Sequence, residues 1–390
     1  MKRIFLISQV LMLIQTGMAQ SSYTITDTGQ TQCYSNNIAI DMPQQGQDFY
    51  GQDACFQEHS PHYKDNGDGT VSDLVTGLMW EKDMGEKITF EQAKKKAAEL
   101  RTGGYDDWRI PTVKELYSLM EFTGQSMGEH SVTPYIDTEY FNQPTGDRSK
   151  GEREIDAQTW TCTVCKGGTM DGQATLFGVN FIDGRIKGYP LMKRGKENRM
   201  YFRMVRGNSG YGKNRLVDNG DGTVSDLASG LMWQKADNGK LYDWHDALTY
   251  ADTLTLAGYS DWRLPDAKQL QSIVDYSHSP SYDGSPAISP LFECTQHLLY
   301  EGITDCAYYW TSTTHLDGPN PYERAVYVCF GHAWGRNPRT GDICDVHGAG
   351  SQRSDPKSGP QSSYPRFFGP QQDMQCVYNA VRCVRKINTK

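Results

Sequence analysis

One stretch of sixteen residues occurs twice in this chain, and that duplication constrains the fold more than any other feature. Residues 65–80 read DNGDGTVSDLVTGLMW and residues 218–233 read DNGDGTVSDLASGLMW. A second pair follows each copy, GYDDWRIP at 104–111 and GYSDWRLP at 258–265, so the copies lie 153 and 154 residues apart. Solenoid repeats recur every ~20–50 residues. A period this long describes a whole domain that has been duplicated. The expected organisation is a leader at 1–19, a Cys-containing extension at 20–64, a first repeat at 65–206, a linker at 207–217 and a second repeat at 218–386. The second repeat carries an insertion rich in Gly, Ser, Pro and Arg at about 335–374.

The leader has Lys2 and Arg3, then an apolar run, then small residues at Gly17 and Ala19. This is the pattern of a secretory signal peptide cleaved after Ala19. No later stretch is apolar enough to span a bilayer. The expected protein is therefore exported, periplasmic or extracellular. Ten cysteines suit an oxidising compartment. Their spacing suggests the local bridges Cys33–Cys55, Cys162–Cys165, Cys294–Cys306, Cys329–Cys344 and Cys376–Cys383, although spacing does not determine connectivity. The net charge is −8 and becomes −10 once Lys2 and Arg3 leave with the leader. An acidic chain lacks the basic footprint that nucleic acid requires.

Within each repeat, the Asx-Gly pairs of NGDG demand positive φ and read as a tight turn. Thr70-Val71-Ser72 and Leu78-Met79-Trp80 then read as a hairpin with a buried Trp, repeated at Trp233. Thr89 with Gln92 forms a capping-box pattern ahead of a helix whose stripe is Phe90, Ala93, Ala97 and Leu100. Asp243 heads the corresponding stripe of Trp244, Ala247, Ala251 and Leu254. A second helix is expected after each WRIP/WRLP element, capped by Thr112 with Glu115 and by Asp266 with Gln269. Strands are expected at 176–181 and 325–330, and each repeat closes on RMVR at 203–206 or RCVR at 382–385. The extension is expected to be irregular with short strands, stapled, and packed on the first repeat.

The ordered set NGDGTVSD…GLMW, GGYDDWRIPTVKEL, WTCT and RMVR resembles the C-terminal domain of the bacterial collagen-like adhesin Lcl, over both repeats. Its Arg-Ile/Leu-Pro, Trp-Thr and closing Arg-x-Val-Arg are also similar to formylglycine-generating enzymes. The resemblance implies an α+β fold of two tandem C-type-lectin-like domains, each with two helices on small twisted antiparallel sheets, stapled by disulfides. The adhesin implies binding of a surface glycan, which includes the sulfated class, or of a protein on the envelope. The chain has no Gly-X-Y tract, so no collagen stalk is expected. The enzyme likeness implies an alternative, an enzyme on that scaffold with a copper or redox role for Cys162 and Cys165. A third reading is a structural envelope component that self-assembles.

Candidate residues follow from charge and motif. Asp65, Asp68 and Asp73, with Asp218, Asp221 and Asp226, invite a calcium reading, but Gly67 and Thr76 occupy the third and twelfth positions of an EF-type loop, where ligands belong. Asx-Gly turn chemistry accounts for the same residues. Between 185 and 206, Arg185, Lys187, Lys193, Arg194, Lys196, Arg199, Arg203 and Arg206 face one acid, Glu197. The first six form a candidate patch for anionic ligands. Trp80, Trp108, Arg109 and Trp160, with Trp233, Trp262, Arg263 and Trp310, read as structural motif residues. An internal Asp107–Arg109 pair, with Asp261–Arg263 as its copy, is the expected lock of the WRIP turn. No HExxH, GxSxG, Gly-rich phosphate loop or Walker lysine is present.

Overall fold

A computed structural model describes residues 23–126, 132–170, 172–337 and 339–387; the leader at 1–19 lies outside the described residues. Each repeat opens on the predicted hairpin. Tyr63–Asp65, Thr70–Asp73, Leu78–Glu81 and the closing strand Val205–Gly207 form a four-stranded antiparallel sheet, with Val71 and Val205 flanking Trp80. Leu216–Asp218, Thr223–Asp226, Leu231–Gln234 and Val384–Lys386 repeat it around Trp233. Gly67 and Gly69 take φ of 76° and 87°, which bends the chain where a side chain would be strained. Both tryptophans are fully buried.

Helices α1 (Phe90–Glu99) and α3 (Trp244–Thr253) follow, capped by Thr89 and Asp243 as expected. The helices after WRIP and WRLP, α2 (Val113–Tyr117) and α4 (Ala267–Ser272), start at the predicted capping boxes. They stop after five and six residues, which corrects the expectation of two packed helices per domain. Leu116, Tyr117, Leu119, Met120 and Phe122 are all buried, so this run has no polar face for a longer amphipathic helix to show to solvent. The backbone leaves the helix and pairs instead, with the Phe122 amide donating to Thr28 O at 2.8 Å.

The principal layer is a six-stranded antiparallel sheet to which both repeats contribute, beside several smaller antiparallel sheets. Its order is Tyr308–Thr314, Arg324–Cys329, Gln352–Pro356, Arg185–Pro190, Thr175–Asn180 and Thr159–Val164. The two halves meet antiparallel where Gln352 pairs with Ile186. This is the self-complementary contact of a two-fold dimer, built within one chain. Gln352–Pro356 falls inside the stretch expected to be an inserted loop. Its residues, QRSDP, show no apolar alternation; position in the sheet, rather than propensity, makes them a strand.

Helices α2 and α4 pack together on this sheet, and a reciprocal exchange of lysines joins them. Lys114 Nζ donates to Ser272 O at 2.6 Å, Asn214 Oδ1 at 2.9 Å and Gly212 O at 3.2 Å. Lys268 Nζ donates to Ser118 O at 2.8 Å and Asp27 O at 2.9 Å. Each ammonium thus meets carbonyls at the C-terminal end of the other repeat's helix, the end that favours a cation.

The ten cysteines form no disulfide, which corrects the expected stapling. Cys162 lies in the strand Thr159–Val164, whose register shifts between Trp160 and Val164, and Cys165 follows just past its end. Cys162 is exposed and Cys165 is buried. Cys329 is directed at the carbonyls of Ser351 and Gly348. Cys33 lies beside Cys55, and Cys294 beside Cys306, with no disulfide between them.

The extension departs from expectation as well. It contains a two-stranded ribbon, Cys33–Tyr34 with Ala39–Ile40, but much of it lies on the second repeat. Gln30 grips the backbone of Thr314, donating to its carbonyl at 2.9 Å and accepting its amide at 2.9 Å. Tyr34 stacks on Tyr322, and Lys357 reaches Ser35 O. No helix among the described residues is long and apolar enough to cross a membrane.

Candidate functional site

The residues expected to carry function divide sharply once placed. Each aspartate of the repeated hairpin is engaged in its own turn. Asp65 accepts the Gly67 amide at 2.9 Å and pairs with Lys82 at 2.5 Å; Asp218 does the same with Gly220 and Lys235, at 3.0 and 2.8 Å. Asp68 and Asp221 each take a hydroxyl, from Thr70 and Thr223, at 2.6 Å. Asp73 caps the amides of Val75 and Thr76, while Asp226 holds Arg215, Ala228, Asn214 and Ser229. Among the described residues, no three His, Cys, Asp or Glu side chains gather to hold a metal ion.

The basic patch separates into two populations. Arg185 is paired with Asp183 and Asp317, and Lys187 with Asp183 at 3.0 Å, all well covered. Arg203, fully buried, donates to the carbonyls of Glu81, Lys82 and Asn142, each at 2.8 Å, and Arg382 fills the same role in the second repeat. Arg206 does not face solvent freely: it pairs with Asp107 at 2.6 Å and lies 3.7 Å over the Tyr105 ring. Arg385 repeats this with Asp261 and Tyr259. The aspartates of the DWR motifs therefore bind the closing strand rather than their neighbouring arginines. Lys193, Arg194 and Lys196 remain exposed on a two-stranded hairpin, Met192–Lys193 with Lys196–Glu197, followed by exposed Arg199. The motif tryptophans, Trp80, Trp108, Trp160, Trp233, Trp262 and Trp310, are all buried. They build the fold and are not available to stack on a ligand.

What the motifs do assemble is a cleft of about 740 Å³ at the junction of the two repeats and the linker. One wall is repeat one: Arg109, Thr112, Lys114, Glu115, Cys162 and Thr163. The linker at 209–214 and the turn at 273–277 supply the other walls. Arg109 is held by a two-point bond to Glu115, at 2.7 and 2.5 Å, and Glu115 also accepts the Thr112 amide at 2.8 Å. The capping box thus fixes the guanidinium that faces the cleft. Thr163 Oγ1 accepts the Val113 amide at 2.9 Å, and the residue lines the cleft. Burial lowers the Lys114 ammonium to about 8, so part of its charge is titratable near neutrality.

The equivalent face of repeat two has the same construction and is covered. Thr313 Oγ1 accepts the Ala267 amide at 3.0 Å, as Thr163 does for Val113, and its hydroxyl is bonded to the Asp53 carboxylate of the extension. Arg263, bonded to Gln269 at 2.8 Å, carries the Phe56 ring 4.8 Å away. Burial, and then the Asp266 charge, raise the Asp53 carboxyl to about 7. Burial likewise raises Asp266 to about 6. Ser312 and Thr314 are fully buried, whereas their counterparts Cys162 and Val164 are exposed, Val164 by 50%. Sequence reading singled out Arg109 and Arg263 but missed Lys114, Lys268, Thr163 and Thr313. The signal was available: each occupies the same place in both copies of WR[IL]P and WT.

The profile of the Lcl C-terminal domain matches residues 69–206 and again 222–343. The chain belongs to the Lcl C-terminal domain family, as a tandem of two such domains. No curated protein matches the chain, and no solved structure does. The likeness to formylglycine-generating enzymes and to the C-type-lectin-like fold rests on the sequence motifs alone.

Proposed function

We propose that this chain is an exported binding module, adhesin-like rather than catalytic, and that it holds its ligand in the cleft between the repeats. The observation that carries this reading is the asymmetry between two faces of one construction. The chain covers the face of repeat two with its own extension, and the same face of repeat one opens into the cleft. In repeat two the extension takes up the Thr313 hydroxyl and the Arg263 guanidinium and leaves a smaller pocket of about 320 Å³ beside Phe56. Repeat one opens into the cleft of about 740 Å³, and such an asymmetry fits a protein that binds at the open copy. Met1–Ala19 supports export, and membership of the Lcl family supports a surface-binding role. The enzyme alternative loses its main support, since Cys162 opens to the cleft while Cys165 points into the core.

The test uses a variant that closes the cleft. Counting back from the repeated turns, Ser209 stands where Phe56 stands in the other copy. A Ser209→Phe chain should keep its thermal midpoint and lose the ligands that the wild type selects from peptide-display and glycan-array screens. Ligands bound equally by both chains would place the site elsewhere. The exposed hairpin of Lys193, Arg194 and Lys196 is the one surviving support for an anionic-glycan reading. Glycan binding that persists in Ser209→Phe but vanishes at raised salt would favour it.

A further inference from the structure

The extension shows what a face of this construction accepts. Three features of repeat two are met by three features of the segment. The hydroxyl of Thr313 is taken by a carboxylate, Asp53. The flat face of the Arg263 guanidinium is covered by an aromatic ring three residues further on, Phe56. The edge of the Tyr308–Thr314 strand is gripped through the backbone of Thr314 by an amide side chain, Gln30. In repeat one the receiving groups are present and their partners are not. Thr163 offers the same hydroxyl and Arg109 the same fixed guanidinium. Ser209 supplies no ring where Phe56 would stand, and Val164, the counterpart of Thr314, is half exposed.

Resting on the binding role proposed above, we infer that the cleft of repeat one receives a peptide segment of a partner protein folded in a short 3-10 turn, as Asp53–Cys55 is, that carries a carboxylate and an aromatic ring three residues after it. Charge favours this occupant. In repeat two the Asp53 carboxylate has Asp266 beside it, and repeat one has Thr112 in the place of Asp266. Across the whole lining, Arg109, Lys114 and Lys213 stand against Glu115 and Asp275, so an incoming carboxylate meets a cleft with one net positive charge. A 3-10 turn brings side chains three residues apart to the same side, so the hydroxyl and the guanidinium can read the carboxylate and the ring together. An aromatic ring over a guanidinium adds an attraction that an aliphatic residue cannot provide.

The chain supplies its own probe, a fluorescent peptide of residues 49–60, FYGQDACFQEHS, with Cys55 replaced by Ser. In the full chain Thr313 and Arg263 already hold Asp53 and Phe56, so anisotropy reports the open copy. Saturable binding is expected, weakened at least ten-fold when the peptide carries Asp53→Ala or Phe56→Ala. On the protein, Thr163→Val and Val164→Glu should each weaken it by a similar factor, and Thr163→Ser should restore it. Val164 is already exposed, so Val164→Glu places a repelling carboxylate beside Thr163 without threatening the fold. Binding that survives Thr163→Val and Val164→Glu but falls in Thr313→Val would show the peptide exchanging with the extension, and would overturn the inference. Absence of peptide binding, alongside other ligands that Ser209→Phe abolishes, would overturn the peptide class while leaving the cleft as a site. If no ligand depends on Ser209, both readings fail.

Discussion

Replacing Lys268 with Met tests whether the two repeats are one folding unit. The side chain is 3% exposed and donates to Ser118 O of repeat one and Asp27 O of the extension. Methionine fills nearly the same volume and leaves both carbonyls without that donor. Each bond from a charged donor is worth about 1.5–3 kcal/mol, and a buried acceptor left unmet costs a similar amount. Around the ammonium stand Glu121, Asp266, Asp73 and Asp27, which would lose their shared cation. Relief from burying the ammonium offsets part of this, and the net loss expected for breaking such a group is about 3–5 kcal/mol. A typical domain has about 5–15 kcal/mol of stability in all, so the effect is large. In urea titrations followed by tryptophan emission, the midpoint should fall in one transition with an unchanged slope. A loss under about 1 kcal/mol would refute the clamp, taking the threshold from ordinary surface substitutions. Two transitions in the wild type would refute the single unit.

Three further outcomes follow from the same geometry. The Asp53 carboxyl keeps its proton to about pH 7 in the folded chain and to about 3.8 when free; the folded state therefore binds more protons between those values, and stability should fall as pH rises through that window. Asp53→Asn should flatten that slope in thermal melts at pH 5 and 8. Alkylation mapped by peptide mass should modify exposed Cys162 quickly and leave buried Cys165, Cys329 and Cys383 untouched; equal labelling would contradict the cleft. Lys193→Glu with Lys196→Glu should leave the melting temperature unchanged, because both residues are exposed on a short hairpin, and should reduce salt-dependent retention on a heparin column.

Local structure was legible because local chemistry sets it. The NGDG turns, the capping boxes at Thr89, Thr112 and Asp266, and the closing RMVR and RCVR strands stand where the sequence places them. What could not be read arises between repeats. Gln352–Pro356 is polar and joins a sheet only because Ile186 lies beside it, across 166 residues of chain. The shortness of α2 and α4 reflects burial on every side, which a capping pattern does not reveal. The basic run at 185–206 looked like a patch because sequence spacing hides Asp183, Asp317 and the carbonyls that Arg203 serves. The cleft was invisible for the same reason: its asymmetry comes from which copy the extension covers, and that depends on the sequence before the repeat, not within it.

The most direct measurement is hydrogen exchange on the free full chain, comparing the duplicated strand segments 160–166 and 310–316. These copies share their motif, so any difference reports what covers them. The account predicts that amides in 310–316, sealed by the extension, exchange markedly more slowly than those in 160–166 at the cleft. Equal protection of the two segments would contradict the claim that one face is closed and the other open.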